Sequence, residues 1–494
     1  MGQVKKQSIQ NSLIQYVGIA LGYFNSVILF TNILDLEQMG LTRVLFAIAG
    51  LYINLSLLGS PKILIRFFPF LKTIDKSHQG FLIFNVLLAS VGFLLVTVIY
   101  LSLQNTIVEY FGGSSTQLFI DNYHYVILVS VLMLYTSILE HFLMAMKKTV
   151  LTYFLKNIFI RFIWIGEILL FHFGWIDFDT FILLYAGSYI VNFLIMFFYL
   201  LRLGEIKINL EFLKWRPRLL KIILNYGLFS ILSGISSLLV NRIDIIMITF
   251  FLGLSSTSVY SIAAYISAVI FVPSQAIYRI SMPLVADYWK NKDLDQMKIL
   301  YQKSSINQLL IGGFVFLCIW MNIDDLFKVM RPEYSNGKWV VLILSLSILF
   351  NMMTGINNVI LVITKYFRYD TIASISLAVI TIITNLLFIP IYGMEGAAIA
   401  TLISVVSYHS FKFILIMNKL KMQPFTLNTI WAVLVIVVTY LLTSLLPEFD
   451  IHFLLNIALK CFIISVIYLG ILWRTGISED IQIELQRQFK RISI

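Results

Sequence analysis

Four stretches of this chain contain no Asp, Glu, Lys or Arg: Phe81–Leu103, Trp339–Thr364, Thr371–Pro390 and Leu427–Pro447. Each is 20 residues or longer, and about 20 apolar residues cross the hydrocarbon layer of a bilayer as a helix. Backbone surrounded by lipid must satisfy its own hydrogen bonds, so such runs are helices. A transmembrane barrel would instead show alternating segments of about 10 residues. The rest of the chain agrees. Apolar residues make up 59% and charged residues 12%, with a mean hydropathy of +0.89, against roughly 25% charged in soluble domains. The expected class is an all-α integral membrane protein without a soluble domain of any size.

Fourteen spans are read from the apolar runs, at 9–31, 42–60, 81–103, 122–146, 150–172, 179–201, 223–250, 256–278, 305–322, 339–364, 371–390, 395–417, 427–446 and 451–473. They are numbered in that order below. Basic residues test the count, because cytoplasmic loops are enriched in Lys and Arg. With the N-terminus inside, 27 of the 36 fall in inside segments and three, Lys328, Arg331 and Lys338, outside. Arg43, Lys156, Arg161, Arg242, Lys412 and Lys460 lie within or at the edge of spans. Acids mark the outside instead: Asp35, Glu37, Glu109, Asp177, Asp179, Glu448 and Asp450. An odd number of spans would scramble this bias, so both termini are expected in the cytoplasm. Lys5 and Lys6 before the first apolar run read as the flank of a retained helix. The net charge of +11 fits contact with anionic headgroups rather than nucleic acid. Cys318 and Cys461 lie in different apolar segments and read as buried thiols, without a disulfide framework.

The inside connection at 202–221 carries six basic residues and divides spans 1–6 from 7–12. An offset of 217 relates the halves. It carries Leu169, Leu170 and Phe171 onto Leu386, Leu387 and Phe388, Lys148 onto Lys365, Arg202 onto Lys419 and Leu203 onto Leu420. Arg66 and Pro69, ending span 2, resemble Arg279 and Pro283, ending span 8. Two six-span halves of like orientation make a parallel repeat about an axis along the membrane normal. The expected organisation is an N-terminal lobe, 1–203, a linker, 204–222, a C-terminal lobe, 223–420, and spans 13–14 with a tail, 421–494. Two such lobes enclose a central cavity, the architecture of a secondary transporter.

No GxxxxGK[ST] phosphate loop is present, and the six histidines lack metal-ligand spacing. The chain is therefore read as a non-enzyme with no cofactor, no metal and no catalytic residues. Ionisable groups within apolar spans are costly and usually face a cavity. Arg161, Arg242, Arg66 and Arg279 are the candidate substrate-binding residues, since the guanidinium fork matches phosphate. Asp244, Glu167 and Glu140 are candidates for charge balance or ion coupling. Simpler readings stand beside these: an ion pair for Arg242 and Asp244, pairing of Glu140 with Lys147 or Lys148, and snorkelling of Arg66 and Arg279 to headgroups. Lys460 reads as a snorkelling or lipid-facing group.

Three segments resemble a known family. The run Tyr392-Gly393-Met394-Glu395-Gly396-Ala397-Ala398-Ile399-Ala400-Thr401 resembles the YGxxGAAxAT signature that opens span 12 in the polysaccharide flippases. Glu37-Gln38-Met39-Gly40-Leu41 resembles their turn between spans 1 and 2, with Met39 where an aromatic is usual. Asn241-Arg242-Ile243-Asp244, followed by Val259-Tyr260-Ser261-Ile262-Ala263, resembles their span-7 region. The family is the O-antigen and capsular polysaccharide flippases of the multidrug/oligosaccharidyl-lipid/polysaccharide exporter superfamily. The resemblance implies a bacterial inner-membrane protein of surface polysaccharide and lipopolysaccharide biosynthesis. It would carry an undecaprenyl-pyrophosphate-linked oligosaccharide from the cytoplasmic to the periplasmic leaflet by alternating access. Implied partners are that lipid-linked oligosaccharide, membrane lipids, H+ or Na+ as coupling ion, and the polysaccharide polymerase machinery. The alternatives within the superfamily are a multidrug cation antiporter and a lipid II flippase. Cation antiporters often use an acid in span 1, where this chain has Asn25 and other neutral groups. A polymerase or ligase would carry a large outside loop, and the outside loops here are short. A non-transporting scaffold would have little use for buried charges.

Overall fold

The computed structural model describes residues 2–106, 117–446, 451–478, 480 and 482, and the side chains of residues 2–6, 8, 9, 12, 229 and 232–241 lie outside the description. Glu109, Glu448 and Asp450, expected on the outside, also lie beyond the described residues. Among the described residues the chain is helical without a strand. Eleven helical stretches there are long and apolar enough to cross a membrane. One of these, Phe367–Leu420, contains expected spans 11 and 12, and another, Arg242–Lys290, contains span 8 and the end of span 7. Phe367–Leu420 breaks at Gly393 (φ 61°, ψ −134°), and Gly253 (φ 84°, ψ −179°) breaks the long helix holding spans 7 and 8. Both glycines hold backbone that a side chain at Cβ would disfavour. Span 5, residues 149–172, is helical but carries Lys156, Arg161 and Glu167, too many charges to pass on apolarity. A helix thus stands at each of the fourteen expected positions.

Span 2 runs Leu36–Ser56, not 42–60. Asp35 caps it: its carboxylate accepts from Gln38 N at 2.8 Å, and Gln38 Oε1 accepts from Asp35 N at 3.2 Å. This reciprocal capping box satisfies two orphan donors and starts the helix among polar residues that read as loop. The span ends at Leu58 and Gly59, both at positive φ. A helix that the hydropathy did not reveal follows, Ser60–Leu71. It buries Ile63, Leu64, Phe67, Phe68 and Leu71 while Ile65, Arg66 and Phe70 face out. Span 9 starts at Leu294 rather than 305, because Asp293 caps it through Gln296 N at 3.1 Å. Span 10 is broken. Lys338–Met353 ends at a turn with Gly355 at φ 63°, and Asn357–Ile363 resumes the helix.

The chain forms two compact units, Met1–Ser258 and Val259–Ile494. The first is packed around Ile53, Leu57, Phe68, Phe81, Ile138 and Phe142, where spans 2, 3 and 4 meet the Ser60–Leu71 helix. The second has two cores. One joins spans 9, 10, 13 and 14 through Leu310, Leu317, Met352, Val435 and Ile464. The other joins the expected cytoplasmic ends of spans 8, 9, 10 and 12 through Val285, Tyr301, Ile360 and Ile416.

Candidate functional site

The first unit contains a cavity of about 470 Å³ lined by spans 2, 4, 5, 6 and 7. Helical spacing puts its lining on single faces. Arg43, Phe46, Gly50 and Asn54 descend span 2; Met133, Ser137, Glu140 and His141 line span 4; Tyr185, Tyr189, Asn192 and Met196 line span 6. Lys156 and Trp164 come from span 5 and Arg242 from span 7.

Three cations and one carboxylate face this space. Glu140 is buried, and Lys156 Nζ donates to its Oε1 at 3.0 Å and Oε2 at 3.3 Å. The expected partners, Lys147 and Lys148, sit in the turn and do not make this pair. Lys156 is held in an unusual place, because Leu155–Phe159 winds as a π-helical turn. Such turns recur at functional sites. The Leu155 carbonyl, which accepts from Ile160 N across the wider turn, also accepts from Asn192 Nδ2 at 3.4 Å. Arg43 Nη2 lies 3.6 Å from Met39 Sδ, and its guanidinium is 5.9 Å from the Phe30 ring centre. Arg43 and Arg242 are within electrostatic reach of one another. Among the described residues no second carboxylate lines the cavity, so their charge is a surplus of two cations.

One wall is aromatic. Phe46 and Trp164 each pack on Tyr185, at 5.1 and 5.2 Å between ring centres, and Phe46 meets Tyr189 at 5.9 Å. Trp164 Nε1 donates to Ser188 Oγ at 2.9 Å, which fixes the indole. His141 Nδ1–H donates to the Ser137 carbonyl at 2.7 Å. Because that carbonyl can only accept, Nε2 is left as the free acceptor of the neutral ring.

Of the residues expected from sequence, Glu140 and Arg242 line this cavity. Arg161 is half-buried and, with Glu140 and Arg242, lies within electrostatic reach of Tyr189. Asp244 is buried on span 7. Glu167 is buried lower on span 5, and its Oε2 has no hydrogen-bond partner among the described residues. Arg66 is exposed on the Ser60–Leu71 helix, with its guanidinium 4.4 Å from the Tyr226 ring centre, a cation–π contact. Arg279 belongs to the second unit, where it is exposed and its Nε donates to the Gln275 carbonyl at 3.3 Å. Arg43, Lys156 and the aromatic wall were not anticipated. Glu140 and Lys156 do carry a sequence signal. They stand at equal distances before and after Lys148, so a helical hairpin turning there brings them to one depth.

The second unit holds another buried polar group. Lys412, within span 12, is fully buried. Its Nζ is 2.5 Å from Asp370 Oδ1, donates to Asn358 Oδ1 at 2.8 Å and to Tyr408 Oη, and sits 4.0 Å from the Tyr408 ring centre. Beside it, Asn357 Nδ2 donates to His409 Nδ1 at 3.2 Å, and Thr354 Oγ1 lies 3.2 Å from the same nitrogen. Subtracting 217 from Thr354, Asn357 and His409 gives Ser137, Glu140 and Asn192, all cavity-lining residues of the first unit. The offset thus relates two polar layers, one open and one filled.

Residues 230–387, about a third of the chain, match the family described as MatE. An uncharacterized membrane protein of Methanocaldococcus jannaschii is 26% identical over 270 residues, 51% of this chain and 50% of that protein. The probable low-salt glycan biosynthesis flippase Agl15 of Haloferax volcanii is 23% identical over 181 residues, 36% of this chain and 38% of that protein. The chain spans about half the length, or less, of these curated relatives. Among solved structures, the lipid II flippase MurJ in an inward closed conformation aligns with a TM-score of 0.72 at 14% identity, covering 95% of this chain and all of that one. An inward-facing multidrug resistance MATE family transporter of the MOP superfamily aligns at 0.62 with 14% identity, covering 83% and 94%. The chain is a multi-pass, all-α membrane protein with the fold these two transporters share.

Proposed function

We propose that this chain carries a lipid-linked oligosaccharide across the membrane by alternating access, and that the cavity of the first unit takes the pyrophosphate end of the substrate. The observation that carries this reading is the surplus of two cations among the lining residues, where Arg43, Arg242 and Lys156 face the single carboxylate of Glu140. Unneutralised cations at membrane depth cost several kcal/mol unless water or a counter-charge meets them. A pyrophosphate diester supplies two negative charges and flat oxygen arrays that match the guanidinium fork. The cavity falls within the size of small-ligand pockets, about 300–1,000 Å³. It has room for the pyrophosphate and the adjoining sugar, with the remaining glycan and the isoprenoid outside it.

In this reading Arg43 and Arg242 clamp the phosphates, and Arg161 adds to the field from the neighbouring turn. Lys156 exchanges its contact with Glu140 for one with substrate, leaving Glu140 to reclaim it on release. Asp244 and Glu167 balance charge or take the coupling ion. Arg66 and Arg279 act at lipid headgroups on the cytoplasmic side. The two-lobe division at 1–203 and 223–420, both termini in the cytoplasm, and residence in a bacterial inner membrane complete the proposal. The resemblance in sequence and the match to a glycan biosynthesis flippase support a polysaccharide repeat unit as cargo. The likeness in fold to a lipid II flippase keeps the same pyrophosphate chemistry. A multidrug cation exporter is disfavoured by the charge surplus.

The test is translocation in proteoliposomes loaded with a short-chain isoprenyl-pyrophosphate glycan. Expected are movement of this probe by wild-type protein and its loss in Arg242→Glu. Transport of an organic cation with no movement of the glycan lipid would overturn the reading. Restoration of peptidoglycan synthesis, but not surface polysaccharide, in flippase-deficient cells would move the cargo to lipid II.

A further inference from the structure

Several polar side chains that line the first unit's cavity have their donors already engaged by backbone. Asn54 Nδ2 donates to the Gly50 carbonyl at 3.1 Å, and His141 Nδ1 to the Ser137 carbonyl at 2.7 Å. Asn192 Nδ2 donates to the Leu155 carbonyl at 3.4 Å. A carbonyl can only accept, so chemistry fixes what remains: Asn54 Oδ1, His141 Nε2 of the neutral ring and Asn192 Oδ1, all acceptors. Among the described residues none of these three atoms has a hydrogen-bond partner, and Asn192 Oδ1 is buried. A buried acceptor without a donor is unfavourable until a donor arrives.

The acceptors and the arginines stand at different depths. Lys156 meets Glu140 on span 4, and the neighbouring Leu155 carbonyl meets Asn192 on span 6. His141 follows Glu140, so His141 and Asn192 stand at about the same depth. The Arg43 guanidinium is 5.9 Å from the Phe30 ring centre, and that ring is 5.7 Å from Tyr185. Tyr185 precedes Asn192 by seven residues, about 10 Å along a helix. An occupant must therefore bring negative oxygens to the Arg43 level and hydrogen-bond donors to the Asn192 level. A pyrophosphate diester has acceptors alone and matches only the first. The hydroxyl and amide N–H groups of a sugar match the second.

We propose, on the pyrophosphate reading above, that Asn54, His141 and Asn192 form a sugar subsite, which selects a cargo whose first sugar keeps free hydroxyl or amide N–H donors. The same subsite rejects an isoprenyl pyrophosphate that has no sugar. A site built around hydrogen bonds discriminates strongly against a ligand lacking the matching groups, because its own polar atoms are then left without partners. The Tyr189 hydroxyl, which can donate or accept, adds no preference of its own. On the sidedness proposed above, Asn192 lies nearer the cytoplasm than Tyr185. A lipid of the cytoplasmic leaflet has its isoprenoid toward the bilayer centre and its sugar toward the cytoplasm, so it arrives with pyrophosphate and sugar in that order.

The test measures binding to the full-length protein in nanodiscs. The probes are geranyl pyrophosphate, geranyl-pyrophosphoryl-N-acetylglucosamine, and the same glycolipid methylated at every sugar hydroxyl and at the amide nitrogen. Methylation keeps the acceptors and removes the donors. Expected is binding of the free sugar at least about tenfold tighter than of the other probes. Asn54→Leu and His141→Leu should each shrink that preference by at least about threefold. Equal binding of free and methylated sugars to wild type would overturn the subsite while leaving the pyrophosphate reading intact, and that arm needs no variant. So would a preference unchanged in both variants. Failure of every probe to bind would remove the pyrophosphate reading, and the sugar subsite with it.

Discussion

Lys156 Nζ sits 3.0 and 3.3 Å from the two carboxylate oxygens of Glu140, yet the partners are unequally covered, with 61% and 8% of their side chains exposed. The lysine is open to the cavity and the glutamate is not. Removing the lysine therefore strands a buried carboxylate, while removing the glutamate frees a hydrated cation. Lys156→Met should destabilise the protein by about 1–3 kcal/mol, the cost of an unsatisfied buried polar group. Adding Glu140→Gln to it should return most of that loss, a coupling read from a double-mutant cycle of unfolding in detergent. Equal losses from both single variants with no recovery in the double would contradict this asymmetry.

The arginines separate by position. Arg242→Gln and Arg43→Gln should each lower translocation by about tenfold to a hundredfold, the worth of a lost charged hydrogen bond, without loss of membrane insertion. Arg66→Gln should stay within about twofold, since its guanidinium rests on Tyr226 and faces out, and exposed charges contribute little. Initial rates in proteoliposomes decide both.

Gly40 and Gly396 belong to the two signature segments, and each meets a backbone carbonyl where a side chain would be. A Cβ on Gly40 would lie 2.1 Å from Leu254 O, and one on Gly396 2.1 Å from Phe388 O. Backbone inside a helix cannot yield as a side-chain tip can. Gly40→Ala or Gly396→Ala should cost ~3 kcal/mol through overpacking, seen as a lowered melting temperature. Gly166 has open space around it, and Gly166→Ala on the same background should stabilise by about 0.5–1 kcal/mol.

The loop at 72–77 carries a pH response. Hydrogen bonds from Thr73 and Ser77 hold the Asp75 carboxyl down at about 2, with a smaller pull from Lys207 against a slight burial penalty. A depressed native value stabilises the folded loop above the ordinary carboxylate range, and this is lost as pH falls toward 2. Amide exchange in residues 73–80 should accelerate over that window in wild type. In Asp75→Asn it should be fast throughout and insensitive to pH there.

The spans were legible because a charge-free run of 20 residues has one solution in lipid. The Ser60–Leu71 helix was not, because its 12 residues are too few to cross a bilayer and Lys62, Arg66 and two prolines interrupt them, while its buried stripe repeats every three or four residues. Span 2 began early for a similar reason, since Asp35 and Gln38 are capping groups and not loop. In the site, Arg242 stood out as a charge deep in an apolar run and Glu140 as an acid too short to snorkel. Lys156, at the depth of Glu140, and Arg43, near the end of its span, have long side chains that snorkel by default. Only the neighbouring helices show that they turn inward. Lys412 was hidden in the same way, its charge met by Asp370 from another span.

The π-helical turn at Leu155–Phe159 makes span 5 two helices in series with an offset between their faces. Each residue added to or removed from a helix rotates everything beyond it by about 100°. Removing one residue from this turn, with both flanking helices intact, would keep span 5 long and apolar enough to insert. It would also carry Trp164 off the aromatic wall and swing Arg161 and Glu167 by the same angle. The orientation of the lower half of the span is thus set by a single extra residue, and a shift in register there would exchange a cavity face for a lipid face.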